Sequence, residues 1–373
     1  MTNEITNVNK IQSNKKRLVW LDIVRCMAIF CVILTHSTET YYTSIMTGQT
    51  TCSLSLWLIC NFLFTMGRLG VPLFLAVTGA LMLNREYKDI PGFYKKSLLP
   101  LLVCAEIWTV FNYIFYCKWF TQEFSFKTLI YEMVFLKQPS LSHMWYLPMI
   151  IGCYVALPFV SKVLHSDLKL KDCRLLVIAG IAVFFVVPTL NVFIKNGALE
   201  LDAINIKIDS GFWGGCYGMY MLAGFAVSYK GLLSKIKTSL LPVIIILTFC
   251  INSLGQRYLY THGFFEYKLY WYDNIAILIM GVLLFEFLRR LYINRESIHF
   301  GKIINYISRC SFGIYIIHMP IRFVLARMLQ AYDFGTAKKM LMLFAADFII
   351  SAVILIPFFF VLKRFGKLLF HIK

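Results

Sequence analysis

The chain has 373 residues, of which 59% are hydrophobic and only 15% charged, and its mean hydropathy is +0.69. A soluble domain of this length carries about 25% charge, and no polar half exists that would fold separately, so the composition excludes a soluble protein and leaves one membrane domain. A formal net charge of +18 fits either a nucleic-acid partner or cationic loops that orient a membrane protein, and the placement of the charges decides between them.

Residues 1–16 are polar and are expected to form a disordered cytosolic N-terminus, followed by a membrane domain over 17–373. The first apolar run ends in Thr35-His36-Ser37, not in a small-residue cleavage site, so it reads as a retained helix and not a signal peptide. A helix needs about 20 apolar residues to cross the hydrocarbon core. On that measure the predicted spans are 18–37, 55–83, 98–117, 143–161, 174–194, 212–229, 239–256, 270–288, 307–329 and 340–362. The second is long, and a break near Gly67–Pro72 would divide it. The fold class is therefore all-α integral membrane, with about ten transmembrane helices. Phe124–Leu136 alternates apolar and polar residues and is expected either to lie on the outer surface or to form an ordinary loop.

Loop charges test this topology. One set of alternate loops holds Lys15, Lys16, Arg17; Arg85, Lys88, Lys95, Lys96; Lys162, Lys169, Lys171, Arg174; Lys230, Lys235, Lys237; Arg289, Arg290, Arg295, Lys302; and Lys363, Arg364, Lys367. The other set holds few. The asymmetry puts both termini in the cytosol and makes a nucleic-acid partner unnecessary. The eleven cysteines are an odd number, contain no C-x-x-C pair and lie mostly within apolar runs, so they read as packing residues, with no zinc site and no disulfide framework.

Ionisable side chains at membrane depth are costly unless paired or facing water, so each marks a candidate site. Asp22 and Arg25 are three residues apart and can pair on one face of the first helix. His36 returns to that face about three turns later, roughly 16 Å further out. An imidazole there suits a general base acting on a hydroxyl, and an interfacial histidine at a helix end is the alternative. Arg68 sits beside the break before Pro72, where backbone donors are freed. His143 opens the fourth span ahead of Trp145 and Tyr146, two residues that also suit an interfacial belt. Tyr315, His318 and Arg322 share one face of the ninth span. Glu106 and Asp347 lie mid-span and are expected to form structural ion pairs, with Arg322 or Arg68 as partners. Gly214 and Gly218 read as a close-packing face. Walker A, G-x-G-x-x-G, H-E-x-x-H and G-x-S-x-G patterns are absent, which removes nucleotide hydrolases, zincins and serine hydrolases of the usual kinds.

Four segments together resemble the acyltransferase 3 family of integral-membrane acyltransferases. They are Trp20-Leu21-Asp22-Ile23-Val24-Arg25 running on to His36; Arg68-Leu69-Gly70-Val71-Pro72-Leu73-Phe74 with Thr78-Gly79; His143-Met144-Trp145-Tyr146-Leu147; and Ser308 to His318. The V-P-L-F and H-M-W-Y-L forms most resemble the subgroup that O-acetylates surface polysaccharides such as enterobacterial common antigen. The resemblance implies ten core helices in a bacterial inner membrane, a cytosolic acyl-coenzyme A donor (acetyl by default), no metal, and an acceptor that is a glycan or a lipid-linked sugar. It leaves a homo-oligomer open. It also implies that Arg25 and His36 are the residues most tied to activity. The chain departs from the family in two places. Thr78 stands where many members have serine, and Lys95 and Lys96 stand where many have an arginine-rich stretch, although lysine lacks the bidentate phosphate contact of arginine. No SGNH-type segment follows the last span, so transfer is expected to be completed by this domain or by a separate partner.

Under this reading, Arg25, Lys95 and Lys96 meet the coenzyme A phosphates, with Asp22 holding Arg25. His36 acts as base or transient acyl carrier, Arg68 or Tyr315 stabilises the oxyanion, and His143, Trp145, Tyr146, Tyr315, His318 and Thr78 meet the substrate. The competing class is a transporter of a small polar or lipid-linked substrate, in which Glu106 and Asp347 relay protons; a catalytically silent subunit is a third.

Overall fold

A computed structural model describes residues 18–50, 52–166, 174–195, 204, 215–264 and 268–372. The predicted disordered segment 1–16, the loop lysines Lys169 and Lys171, and Gly214 lie outside the described residues, as does most of the outer segment 195–211.

Among the described residues there are helices and turns but no strand. The α-helices of eight residues or more, in chain order, are α1 (Val19–Met46), α2 (Leu54–Arg68), α3 (Gly70–Met82), α4 (Leu99–Trp119), α5 (Phe126–Met133), α6 (Tyr146–Leu164), α7 (Arg174–Ile181), α8 (Val187–Lys195), α9 (Gly215–Tyr229), α10 (Leu240–Thr261), α11 (Ile275–Tyr292), α12 (Gly301–Gln330), α13 (Thr336–Ile354) and α14 (Lys363–Phe370). Eight helical stretches are long and apolar enough to cross a membrane: Val19–Met46, Leu54–Met82, Ile90–Trp119, Ser142–Leu164, Val177–Lys195, Leu240–Thr261, Gly301–Gln330 and Thr336–Phe360. Spans predicted at 212–229 and 270–288 form α9, of 15 residues, and α11, of 18. α11 ends in the charged set Glu286, Arg289 and Arg290. Many helices show an unburied apolar face, such as Ile246, Leu247, Ile251 and Leu254 on α10 and Ile349 and Val353 on α13. A helix apolar on its outside as well as its inside is what a lipid solvent selects. The protein is an all-α integral membrane protein.

The break foreseen near Gly67–Pro72 is real. α2 stops at Arg68, Leu69 turns, and α3 resumes at Gly70. The segment 124–136 contains α5, whose Leu129 packs against Tyr113 and Cys117 of α4, while Phe126 and Ile130 remain exposed.

The chain divides into two units. The first comprises Met1–Ala28, Val71–Asn84 and Leu168–Ser308. Its core joins Trp20, Leu21, Val24 and Ala28 of α1 to Leu73, Ala76, Val77 and Ala80 of α3, Val227 of α9, and Phe285 and Leu288 of α11. Backbones approach most closely where Gly79 faces Met221 and Gly224 faces Ala76, because a Cβ at either glycine would collide with the opposite carbonyl. Close packing of small residues thus falls between α3 and α9 through Gly79 and Gly224. At the C-terminal end of α11, buried Glu286 holds Arg289 (2.6 Å) and Arg290 (2.6 Å). Arg290 also donates to the Leu233 and Ile236 carbonyls, which closes the basic loop 230–239 over the helix end.

The second unit comprises Ile29–Gly70, Arg85–Asp167 and Arg309–Lys373. Tyr42 of α1 stacks on Phe64 of α2, and Gly67 of α2 touches the backbone of Thr35. Trp108 of α4 donates its indole N–H to the Leu369 carbonyl, tying down α14. This unit carries the residues described next.

Candidate functional site

Residues His36, Glu39 and Thr40 recur at positions i, i+3 and i+4 of α1 and so share a face. His36 Nδ1 donates to Glu39 Oε2 at 3.1 Å. With Nδ1 so held, Nε2 is the ring nitrogen left to act as a base. The second carboxylate oxygen, Oε1, faces Arg68 Nη2 at 3.6 Å. The Arg68 guanidinium is buried and lies 4.6 Å from the centre of the Phe64 ring. It reaches Glu39 because Gly67 has no side chain: a Cβ there would meet Thr35 and hold α2 away from α1.

Two further imidazoles complete the group. His318 is fully buried on α12, and its Nδ1 donates to the Tyr315 carbonyl at 2.5 Å. Its Nε2 has no partner among the described residues. His143, at the turn that opens α6, is also buried, and neither of its ring nitrogens makes a hydrogen bond of ordinary geometry among them. Ring centres are 5.3 Å apart for His36 and His318, 5.3 Å for His143 and His318, and 6.4 Å for His36 and His143. Tyr315 fixes the arrangement by donating its hydroxyl to the His143 carbonyl at 2.6 Å. Tyr146 in turn lies 5.5 Å from the Tyr315 ring, and Trp145 6.1 Å from Tyr146. Buried polar groups without partners are expensive, so their concentration around three imidazoles marks a place built for a ligand or for chemistry. No group of three or more His, Cys, Asp or Glu with metal-holding geometry occurs among the described residues.

Arg322, one turn beyond His318, donates from Nη2 to Thr40 Oγ1 at 2.6 Å and lies within Coulombic reach of Glu39 and Asp347. Asp347 accepts from Ser351 at 3.1 Å. The ion pairs expected for Asp347 and Glu106 do not form within 4 Å among the described residues, and Arg68 pairs with Glu39 instead. The sequence reasoning passed over Glu39 and Thr40. The signal was present in the His36-x-x-Glu39 spacing, which alone puts a carboxylate on the imidazole's face.

The second unit thus brings His36, Arg68, His143, Tyr315 and His318 together, with Tyr146 and Trp145 at the side. Asp22, Arg25 and Thr78 belong to the first unit. Asp22 Oδ1 accepts from Ser308 at 2.6 Å and faces Arg25 Nη1 at 3.8 Å. Thr78 donates its hydroxyl to the Phe74 carbonyl one turn back, at 2.8 Å. Lys95 and Lys96 are exposed on a π-helical turn ahead of α4, which Tyr94 anchors by donating to the Val155 carbonyl at 2.7 Å.

Residues 18–364 match a family described as an acyltransferase domain, the acyltransferase 3 family. The chain belongs to that family. It is therefore a multi-pass membrane acyltransferase. No curated protein and no solved structure is similar enough to this acyltransferase to be matched to it. Membership covers all four of the segments that carried the resemblance, from Trp20 to His318.

Proposed function

We propose that this acyltransferase moves an acetyl group from acyl-coenzyme A to a hydroxyl of a surface polysaccharide or a lipid-linked sugar in the bacterial inner membrane, as in the polysaccharide O-acetylating subgroup it resembles. The observation that carries the reading is the His36–Glu39 pair, with Nδ1 donated to the carboxylate and two more imidazoles within 5.3 and 6.4 Å.

His36 Nε2 removes the proton of the acceptor hydroxyl as its oxygen attacks the thioester carbonyl, forming the new C–O bond. The carbonyl oxygen becomes an oxyanion, and the Arg68 guanidinium is the donor suited to stabilise it. The Tyr315 hydroxyl, bonded to the His143 carbonyl, supports the site by holding His143 in place. Collapse of the intermediate breaks the C–S bond, and the departing thiolate takes the proton from the His36 imidazolium, which regenerates the neutral base and gives free coenzyme A. Glu39 fixes the ring tautomer and stabilises the imidazolium while it exists, the role a buried carboxylate plays in serine-hydrolase triads. His318, with an open Nε2, orients the incoming hydroxyl. Exposed Lys95 and Lys96 supply positive charge for the coenzyme A phosphates.

Purified protein incubated with labelled acetyl-coenzyme A and cell-envelope glycan tests the proposal. Labelled glycan should form with the wild type and not with His36→Ala, whose detergent melting should be unchanged. Transfer at the wild-type rate by His36→Ala would overturn it, and substrate flux without thioester turnover would favour the transporter alternative.

A further inference from the structure

The first unit holds a pocket that acyl transfer at His36 does not use. One side of α8 and the residues that lead into α11 enclose about 190 Å³, lined by Pro188, Thr189, Asn191, Val192, Lys195, Asp273 and Asn274. Its walls are fixed in place. The Thr189 hydroxyl donates to the Phe185 carbonyl at 2.7 Å and accepts the Ile275 N–H at 3.0 Å, so one side chain ties α8 to α11. The Asn191 amide pairs with both backbone groups of Ile204, at 2.8 and 3.0 Å. Asn274 Oδ1 caps α11 by accepting from Ala276 at 2.7 Å, whereas its Nδ2, in a residue only 2% exposed, has no partner among the described residues. The exposed ammonium of Lys195 and the carboxylate of Asp273 border the same space.

This pocket lies at the end of the unit opposite its basic loops. α11 rises about 24 Å at 1.5 Å per residue from Ile275, beside the pocket, to Arg290, most of a hydrocarbon thickness. Lys230, Lys235 and Lys237 sit in the loop that Arg290 clasps, so the positive-inside asymmetry puts that end in the cytosol and the pocket on the outer side.

We propose that this pocket is a saccharide subsite that holds one sugar ring of the acceptor on the outer side of the membrane. The chemistry suits a ring of hydroxyls, each of which donates and accepts: the carboxylate accepts, and the ammonium and the unpaired Asn274 amide N–H donate. Five of the seven lining residues are polar, which suits a hydroxylated ring better than an acyl chain, and about 190 Å³ falls below the roughly 300–1,000 Å³ of pockets for larger ligands such as a nucleotide. The inference rests on the reading that the acceptor is a sugar.

Saturation-transfer NMR on the full-length protein in detergent tests it, with glucose, N-acetylglucosamine and glucuronate as probes. At least one sugar should receive saturation from the wild type, equally from His36→Ala, and at least fivefold less from Asp273→Asn and from Lys195→Met at equal melting temperature. Since Lys195 is exposed, that variant keeps the test open if Asp273→Asn fails to fold. The proposal is overturned if no probe binds the wild type, or if Lys195→Met binds as well as the wild type. Loss of sugar binding alongside intact, His36-dependent thioester turnover would remove this subsite and leave the acyl-transfer reading standing.

Discussion

Replacing Glu39 with Gln isolates the carboxylate charge from the geometry it imposes, because the amide oxygen can still accept from His36 Nδ1. The imidazolium formed during transfer sits 3.1 Å from that carboxylate. Two unit charges about 4 Å apart interact by roughly 4 kcal/mol at an effective dielectric of 20. Two features reduce this: Arg68 shares the carboxylate at 3.6 Å, and the Glu39 side chain is 40% exposed. Screening of an exposed partner of this kind brings the difference to about 2–3 kcal/mol, so Glu39→Gln should lower kcat by about 10²-fold. KM for the acyl donor should be unchanged, since the charge acts only once the ring is protonated. Initial rates of labelled acetyl transfer by purified protein, at saturating donor and acceptor, measure the effect. Turnover within threefold of wild type would refute the view that Glu39 serves His36, whatever His36 itself does.

Other substitutions probe the frame around the pair. Gly67→Ala forces a Cβ against Thr35 and should cost about 1–3 kcal/mol, seen as a lower detergent melting temperature together with reduced transfer as Arg68 moves from Glu39. Tyr315→Phe removes one buried hydrogen bond to the His143 carbonyl, and a cost of about 1 kcal/mol should lower kcat by up to tenfold without abolishing it. Arg290→Ala leaves the Leu233 and Ile236 carbonyls without their donor and Glu286 with only Arg289, so the fold should lose about 2–3 kcal/mol while the folded fraction keeps its specific activity.

Much of this architecture was legible because the bilayer makes the rules strict. Apolar length located the helices, Pro72 marked the end of the α2–α3 break, and the cost of burying ionisable groups singled out His36, Arg68, His143 and His318. What was hidden depends on how helices rotate against one another. Arg68 has three carboxylates to choose among, Glu39, Glu106 and Asp347, and only the close approach of Gly67 to Thr35 selects the first. The same applies to the Tyr315 hydroxyl, which faces a carbonyl 172 residues away in the chain, and to the Gly79 and Gly224 contacts, which no spacing in the sequence marks. Glu39 escaped notice for a simpler reason: a carboxylate near the end of a span resembles any interfacial acid.

Photo-crosslinking with an acyl-coenzyme A analogue that carries a diazirine in its acyl chain asks directly whether the thioester meets the three imidazoles. The account predicts that mass spectrometry finds adducts on peptides containing His36, His143 or His318, and that excess acetyl-coenzyme A suppresses them. Adducts confined to lipid-facing residues such as Ile246 or Ile349, or adducts that excess donor leaves untouched, would contradict it.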